Sequence, residues 1–292
     1  MKDQFNKGLI LTSLGSFWWG FIGVLYFEFV SFIGHIELVV HRCIWTAVML
    51  ILTTTFFSKW KIFLSIVSIK KNLIALFFSG LLIFINWAIW IYAVATERII
   101  DASFGYFIMP IISVLLGYIF FKENLNKKRV FSILLVSISI LILIFFNLKS
   151  LPWVGLVVAF SWAFYNLIRK KINIDTDIGL LIESLYILPF ILVVFYLITK
   201  SGFNDFSLSN PSLSLFLILA GPMTVIPLFL YVRGVELIGL GPTGMIFYIT
   251  PTLQFILGYF YYHEEFSLTK FVSFIIIWIA VIIYLKDLYE TN

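Results

Sequence analysis

Between charged residues and Gly/Pro breaks, the sequence returns repeatedly to apolar runs of about 20 residues, the length that carries a helix across roughly 30 Å of hydrocarbon. In lipid a backbone must satisfy its own hydrogen bonds, and over runs of this length only a helix does so within one segment. Composition agrees: 62% of the 292 residues are hydrophobic and 12% are charged, against about 45–50% and about 25% in soluble domains. The runs fall near 8–27, 36–57, 73–95, 101–121, 129–147, 152–170, 178–199, 212–233, 242–262 and 268–286. They predict an all-α integral membrane protein of ten transmembrane helices, with no length left for a soluble domain.

The N-terminus is short and basic, but the run behind it is too long for a signal-peptide core and lacks a small-residue cleavage site, so it reads as a first span. The single cysteine, Cys43, excludes a disulfide framework and a cysteine-rich metal site. The net charge of +5 is informative through its placement. With the N-terminus inside, fifteen basic residues lie on the cytoplasmic side, four lie outside, and Arg42 lies within a span. That bias predicts both termini in the cytoplasm. The basic loops then serve as headgroup anchors facing membrane lipid, and nucleic acid is excluded as a partner. In the loop 58–72, Trp60, Phe63 and Ile66 recur at helical spacing between lysine pairs, as in a short helix lying in the headgroup plane.

An internal repeat organises the chain. Gly105-Tyr106-Phe107-Ile108-Met109-Pro110, with Gly117-Tyr118 and Glu123, returns 141 residues later as Phe247-Tyr248-Ile249-Thr250-Pro251, with Gly258-Tyr259 and Glu264. The same offset sets Trp90 against Tyr231, and small shifts pair Trp19 with Trp162 and His41 with Glu183. Two repeats follow, 1–147 with spans 1 to 5 and 148–292 with spans 6 to 10. Because five is odd, the copies must enter the membrane from opposite sides. A 5+5 inverted-topology repeat with a site at the midplane is the architecture of secondary transporters.

Five stretches carry a resemblance over nearly the whole chain: His41-Arg-Cys-Ile-Trp45, Asn86-Trp-Ala-Ile-Trp90 continuing to Ala93-Val94, Ala102-Ser-Phe-Gly-Tyr106 through Pro110, Phe164-Tyr165 followed by Arg169-Lys-Lys171, and Leu181-Ile-Glu183. With them the chain resembles the RarD-type permeases of the EamA group in the drug/metabolite transporter superfamily. The resemblance implies ten helices, a bacterial inner-membrane location, and alternating access by a proton- or gradient-driven carrier of small organic solutes. The chain departs from that pattern at Arg233 and Glu236, where smaller or uncharged residues are usual.

An ionisable side chain in hydrocarbon costs roughly 2.5–3.5 kcal/mol even on lenient scales. Three such residues therefore stand out. His41 and Trp45 share one helical face while Arg42 points about 100° away. Arg42 reads as an anion or carboxylate clamp, or as a structural partner of Glu37 or Glu28. Glu183 reads as the holder of a substrate amine or of the coupling proton, with His41 the second proton candidate. Its alternative is structural, with Arg169 or Lys170 snorkelling beside it. Depth places His41 and Arg42 on the opposite side of the midplane from Glu183, so they are expected to act in sequence.

Near the midplane, Asn86 and Trp90 share a face, and Pro110 and Pro251 are the most symmetric helix breakers, each freeing a backbone carbonyl. Tyr106 and Tyr248 precede them and are expected to form an aromatic box with Trp19, Trp90 and Trp162. Such a box suits cations or planar organics; ordinary aromatic packing is its alternative. Gln254 is a cavity donor or helix glue. Spans 5 and 10 are almost wholly aliphatic, serine and Phe, and should face lipid or a second protomer. A homodimer has no clear small-xxx-small face to support it.

Gly239-Leu-Gly-Pro-Thr-Gly244 matches G-x-G-x-x-G, but no strand precedes it, and His263-Glu-Glu265 lacks the H-E-x-x-H spacing. No cofactor and no metal are expected. The leading reading is a carrier of amino acids or similar zwitterionic or cationic metabolites, with drugs as incidental cargo, and not an enzyme. Its rivals are an intramembrane enzyme using Glu183 and His41 as acid and base on a lipidic substrate, and a membrane sensor or assembly protein.

Overall fold

The computed structural model describes residues 2–30, 32–95, 99–147, 153–207, 209–263 and 268–291. All regular structure among them is helical. Helix α1 (Lys2–Phe17) passes through a π-turn (Trp18–Ile22) into α2 (Gly23–Phe29). It is followed by α3 (His35–Phe56), α4 (Trp60–Val67), α5 (Lys70–Ala95), α6 (Ile99–Phe121) and α7 (Lys127–Asn147). The rest of the chain forms α8 (Trp153–Ile172), α9 (Thr176–Lys200), α10 (Pro211–Ile238), α11 (Leu240–Ile246), α12 (Ile249–Phe260) and α13 (Leu268–Thr291).

Among the described residues eight helical stretches are long and apolar enough to cross a membrane, and the protein is an integral membrane protein. The two remaining predicted segments differ for local reasons. Helix α8 closes on Arg169, Lys170 and Lys171. The segment 242–262 is broken at Phe247–Tyr248 into α11 and α12.

That break has a chemical cause. Pro251 has no N–H to give the carbonyl four residues back, Phe247 O. The Thr250 N–H takes that carbonyl instead at 2.9 Å, and Phe247 N–H is shared between Thr243 O and Gly244 O. Pro110 produces no such break, because α6 runs on through it. The two prolines therefore differ in effect. Upstream, α10 starts at Pro211 behind Asn210, whose side chain accepts from Leu213 N–H, a preferred way to begin a helix. It ends at Gly239, whose φ of 99° suits a residue without a side chain.

Most elements of the first half find their main partners in the second. Helix α1 packs on α10, α3 on α10 and α9, α5 on α8 and α9, α6 on α8 and α11, and α7 on α13, while α12 lies against the π-turn. The last contact is backbone-close, because a Cβ on Gly20 would meet Thr250 O, and Thr250 Oγ1 donates to Ser16 O at 2.9 Å. Between α3 and α5, α4 buries Ile66 against Leu76, Ile174 and Ile178. Lys59 ahead of it reaches Asp177 at 2.7 Å. Burial works against the ammonium there, but the hydrogen bond and charges of Asp177 and Asp175 outweigh it and raise the Lys59 pKa.

Candidate functional site

The largest buried cluster occupies the centre, where helices of both halves meet. Its rings, joined at the edge by Trp90 of a neighbouring smaller cluster, form a continuous chain. Trp90 meets Tyr106 at 5.5 Å between centroids, Tyr106 meets Phe247 at 5.8 Å, Phe247 meets Tyr231 at 5.5 Å, and Tyr231 meets Trp162 at 5.6 Å. Trp19, carried inward on the π-turn, packs against Trp162, Tyr231 and Phe247. The chain ends in Tyr165, stacked on Trp162, whose hydroxyl donates to Glu183 Oε2 at 3.2 Å.

Four of the five aromatic residues expected in the box, Trp19, Trp90, Tyr106 and Trp162, thus come together. Tyr248 does not. It packs with Ile277, Ala280 and Tyr284 on the α7–α13 side and donates its hydroxyl to Phe107 O at 2.7 Å. Phe247 takes the place expected of Tyr248. The repeat offset of 141 residues already sets Phe247 against Tyr106 and Tyr248 against Phe107, so register, not hydroxyl chemistry, was the signal for this position. Tyr231, the offset mate of Trp90, belongs to the same ring chain.

Glu183 on α9 is 2% exposed and heavily partnered. Ser79 Oγ donates to its Oε1 at 2.5 Å, and Arg169 Nη1 stands 3.5 Å away. Arg169 is 0% exposed, so it does not snorkel as the sequence reading allowed. The absence of a side chain at Gly179 makes room for it, since a Cβ there would overlap the guanidinium. Its Nη2 donates to Thr176 O at 3.1 Å and lies 3.9 Å from Glu236 Oε1. Glu236 in turn accepts from Arg233 at 2.7 Å and from Thr176 Oγ1. Arg233 and Glu236 therefore close a four-charge network around Glu183.

Arg42 on α3 has a different environment. Its Nε donates to Thr224 Oγ1 at 2.8 Å, and its guanidinium carbon lies 4.4 Å from the Trp87 ring centroid and 5.9 Å from that of Phe27. It pairs with neither acid considered from the sequence: Glu37 stands 3.6 Å from His41 and accepts from Asp205 N–H, and Glu28 accepts from the Tyr262 hydroxyl. His41 packs between the rings of Phe195 and Phe206, away from Glu183. Asn86 is committed to helix packing, its Nδ2 donating to Val158 O and Ser161 Oγ on α8.

A cavity of about 20 Å³ lies between α3, α5, α9 and α10. Its walls include Cys43, Thr46, Trp87, Glu183 and Ser184. That volume accommodates about one water, so the centre is nearly closed in this conformation. Glu123, after α6, accepts the N–H groups of Leu240 and Gly241, each at 2.8 Å, with Lys170 Nζ 3.4 Å away. Its repeat mate Glu264 lies outside the described residues. Sequence reasoning missed Trp87, Thr224, Tyr165 and the buried role of Arg169; only the offset signals for Tyr231 and Phe247 were available.

The EamA-like transporter family model matches the chain twice, over residues 6–145 and 150–286. The uncharacterized transporter YojE of Bacillus subtilis is 34% identical over 96% of this chain and 93% of its own. Protein RarD of Escherichia coli is 32% identical over 99% of this chain and 97% of its own. A solved crystal structure with 12% sequence identity superposes with a TM-score of 0.73 over 96% of this chain and 97% of that one, a likeness of fold. With homologues named as transporters and a multihelical membrane fold, the chain belongs to the EamA-like transporter family, in its RarD-type group.

Proposed function

We propose that the protein is a secondary transporter that moves a small organic solute across the bacterial cytoplasmic membrane by alternating access. It is built from ten spans as two inverted repeats, 1–147 and 148–292, with both termini in the cytoplasm. The observation that carries this reading is the central ring chain, to which both halves contribute: Trp19, Trp90 and Tyr106 from the first, Trp162, Tyr231 and Phe247 from the second. A seam between two halves that can rock against each other is where such carriers hold their cargo. The doubled family match, the interleaved packing and the fifteen-to-four distribution of basic residues support the inverted arrangement.

In this reading Arg42, Trp19, Trp90, Tyr106 and Trp162 bind the solute. Glu183 exchanges the coupling proton through its Ser79, Tyr165 and Arg169 partners, and Asn86 holds α5 to α8. The break before Pro251 and the close seat of Gly244 on Pro110 provide the flexing point. Tyr248 and His41 have no part in the binding chamber. The large exposed apolar side chains of α7 and α13, among them Phe131, Leu134, Ile138, Ile279 and Ile282, form the lipid face. The solute belongs to the amino acids and similar small metabolites, and no cofactor or nucleic acid enters the mechanism.

Counterflow in proteoliposomes tests this reading. Unmodified solute should accumulate against an unlabelled internal pool, and Glu183→Gln should make uptake insensitive to an imposed pH gradient. Chemical conversion of the solute, or absence of exchange with every small metabolite pool, would contradict it.

A further inference from the structure

Among the described residues most of the acids in and beside the helix-packed centre lie beside a cation. Glu183 faces Arg169, Glu236 faces Arg233, Asp287 faces Arg129, and Glu123 faces Lys170. Glu37 has the Asp205 N–H and His41. Among the described residues Arg42 has no carboxylate partner. One of its nitrogens, Nε, is used on Thr224, which leaves both Nη groups without a hydrogen bond to any described residue.

We propose that Arg42 is the recognition group for a carboxylate, and that the solute is a small organic anion, with or without an accompanying amine, rather than a cation. The inference rests on the reading that the solute occupies the central chamber, and it narrows that reading by charge. Three observations lead to it. First, Glu183 is already compensated by Arg169 and by two hydroxyl donors, so it offers little to a substrate amine. Secondly, the guanidinium lies over Trp87 while Thr224 holds its Nε edge, and this fixes the plane and directs the two Nη donors away from the anchor. That is the fork geometry that matches the two oxygens of a carboxylate. Thirdly, Trp87 under the guanidinium and Tyr106 both pack against the central cluster, so a carboxylate held at Arg42 would carry its organic body toward those rings. A second cation there would meet an uncompensated positive charge in a poorly solvated site. A carboxylate would neutralise it.

Three ligands of one shape separate the possibilities: 3-phenylpropionate, 3-phenylpropionamide and 3-phenylpropylamine. Binding to the full chain in lipid nanodiscs is read by thermal shift and by titration calorimetry. A charged hydrogen-bonded partner is worth about a ten- to hundred-fold change in affinity. The acid should therefore bind at least about ten-fold more tightly than the amide, and the amine most weakly. Arg42→Gln should erase the advantage of the acid, and Arg42→Lys should keep only part of it, because the charge remains while the two-donor fork is lost. If Arg42→Gln does not fold, the wild-type ranking alone decides. An amine that binds as well as the acid, no binding of the acid at 10 mM, or an unchanged ranking in folded Arg42→Gln would overturn the proposal. Failed counterflow beside an intact acid-over-amine ranking would instead contradict the transport reading and leave the assignment of charge standing.

Discussion

Arg169 and Glu183 lie 3.5 Å apart with almost no exposure, and removing one member of such a pair strands the other. Arg169→Gln should destabilise the protein by about 3–5 kcal/mol, read as a lowered melting temperature in detergent. The double variant with Glu183→Gln should melt above the value expected from adding the two single losses. Gly179→Ala tests the same packing without touching a charge. A methyl group where the guanidinium now lies should cost about 1–3 kcal/mol. At this scale the sequence showed which residues were anomalous, since Glu183, His41 and Arg42 are ionisable groups in apolar runs. It named Arg169 as a possible partner of Glu183, which the 3.5 Å pair bears out, but not the burial of that pair, nor Ser79, Tyr165 or Thr224 as the hydroxyl partners. Arg169 read as a helix-end cation because nothing in its own neighbourhood of sequence says that Gly179, ten residues on and in the next helix, makes room for it inside. Tyr248 and Phe247 were transposed for a related reason: a hydroxyl suggested chemistry, while the repeat register alone carried the geometry.

Helix α11 has only seven residues, too short to be stable by itself, and Glu123 supplies acceptors for its first two free N–H groups. Glu123→Ala should cost about 1–2 kcal/mol and should speed hydrogen exchange at Leu240 and Gly241 more than at neighbouring α10 amides. Unchanged exchange there would remove the capping role. The α4 loop is held by Lys59 on Asp177. Because the Lys59 pKa is raised on folding, its contribution is fully present below the ordinary lysine value of about 10.4 and is lost as pH rises through the folded value. Proteolysis of the loop should therefore accelerate only under strongly alkaline conditions. Apolar runs located the helices well, but their ends were misjudged wherever charges are paired. The run 212–233 extends to Ile238 because Arg233 and Glu236 pair with each other. The run 268–286 extends to Thr291 because Asp287 pairs with Arg129.

The main partners of most first-half helices lie in the second half. Residues 1–147 expressed alone should therefore remain protease-sensitive, and co-expression with 148–292 should restore a resistant complex. Resistance of either half alone would mean that the repeats are independent domains. The all-helical membrane class was legible from apolar run length, and the offset of 141 residues parallels the two matches of the family model over 6–145 and 150–286. The interleaving was not, because no local pattern specifies which helix packs on which.

The chain's single thiol offers the sharpest test of alternating access, since Cys43 lines the central cavity. A small membrane-impermeant thiol reagent is applied to right-side-out and to inside-out vesicles containing the native protein, with Cys43→Ala as the blank and Ser184→Cys in that background as a second reporter. A carrier predicts modification of the cavity thiols from both faces, slowed in each case by bound solute. Modification from one face only, or from neither, would contradict a chamber that opens alternately to the two sides of the membrane.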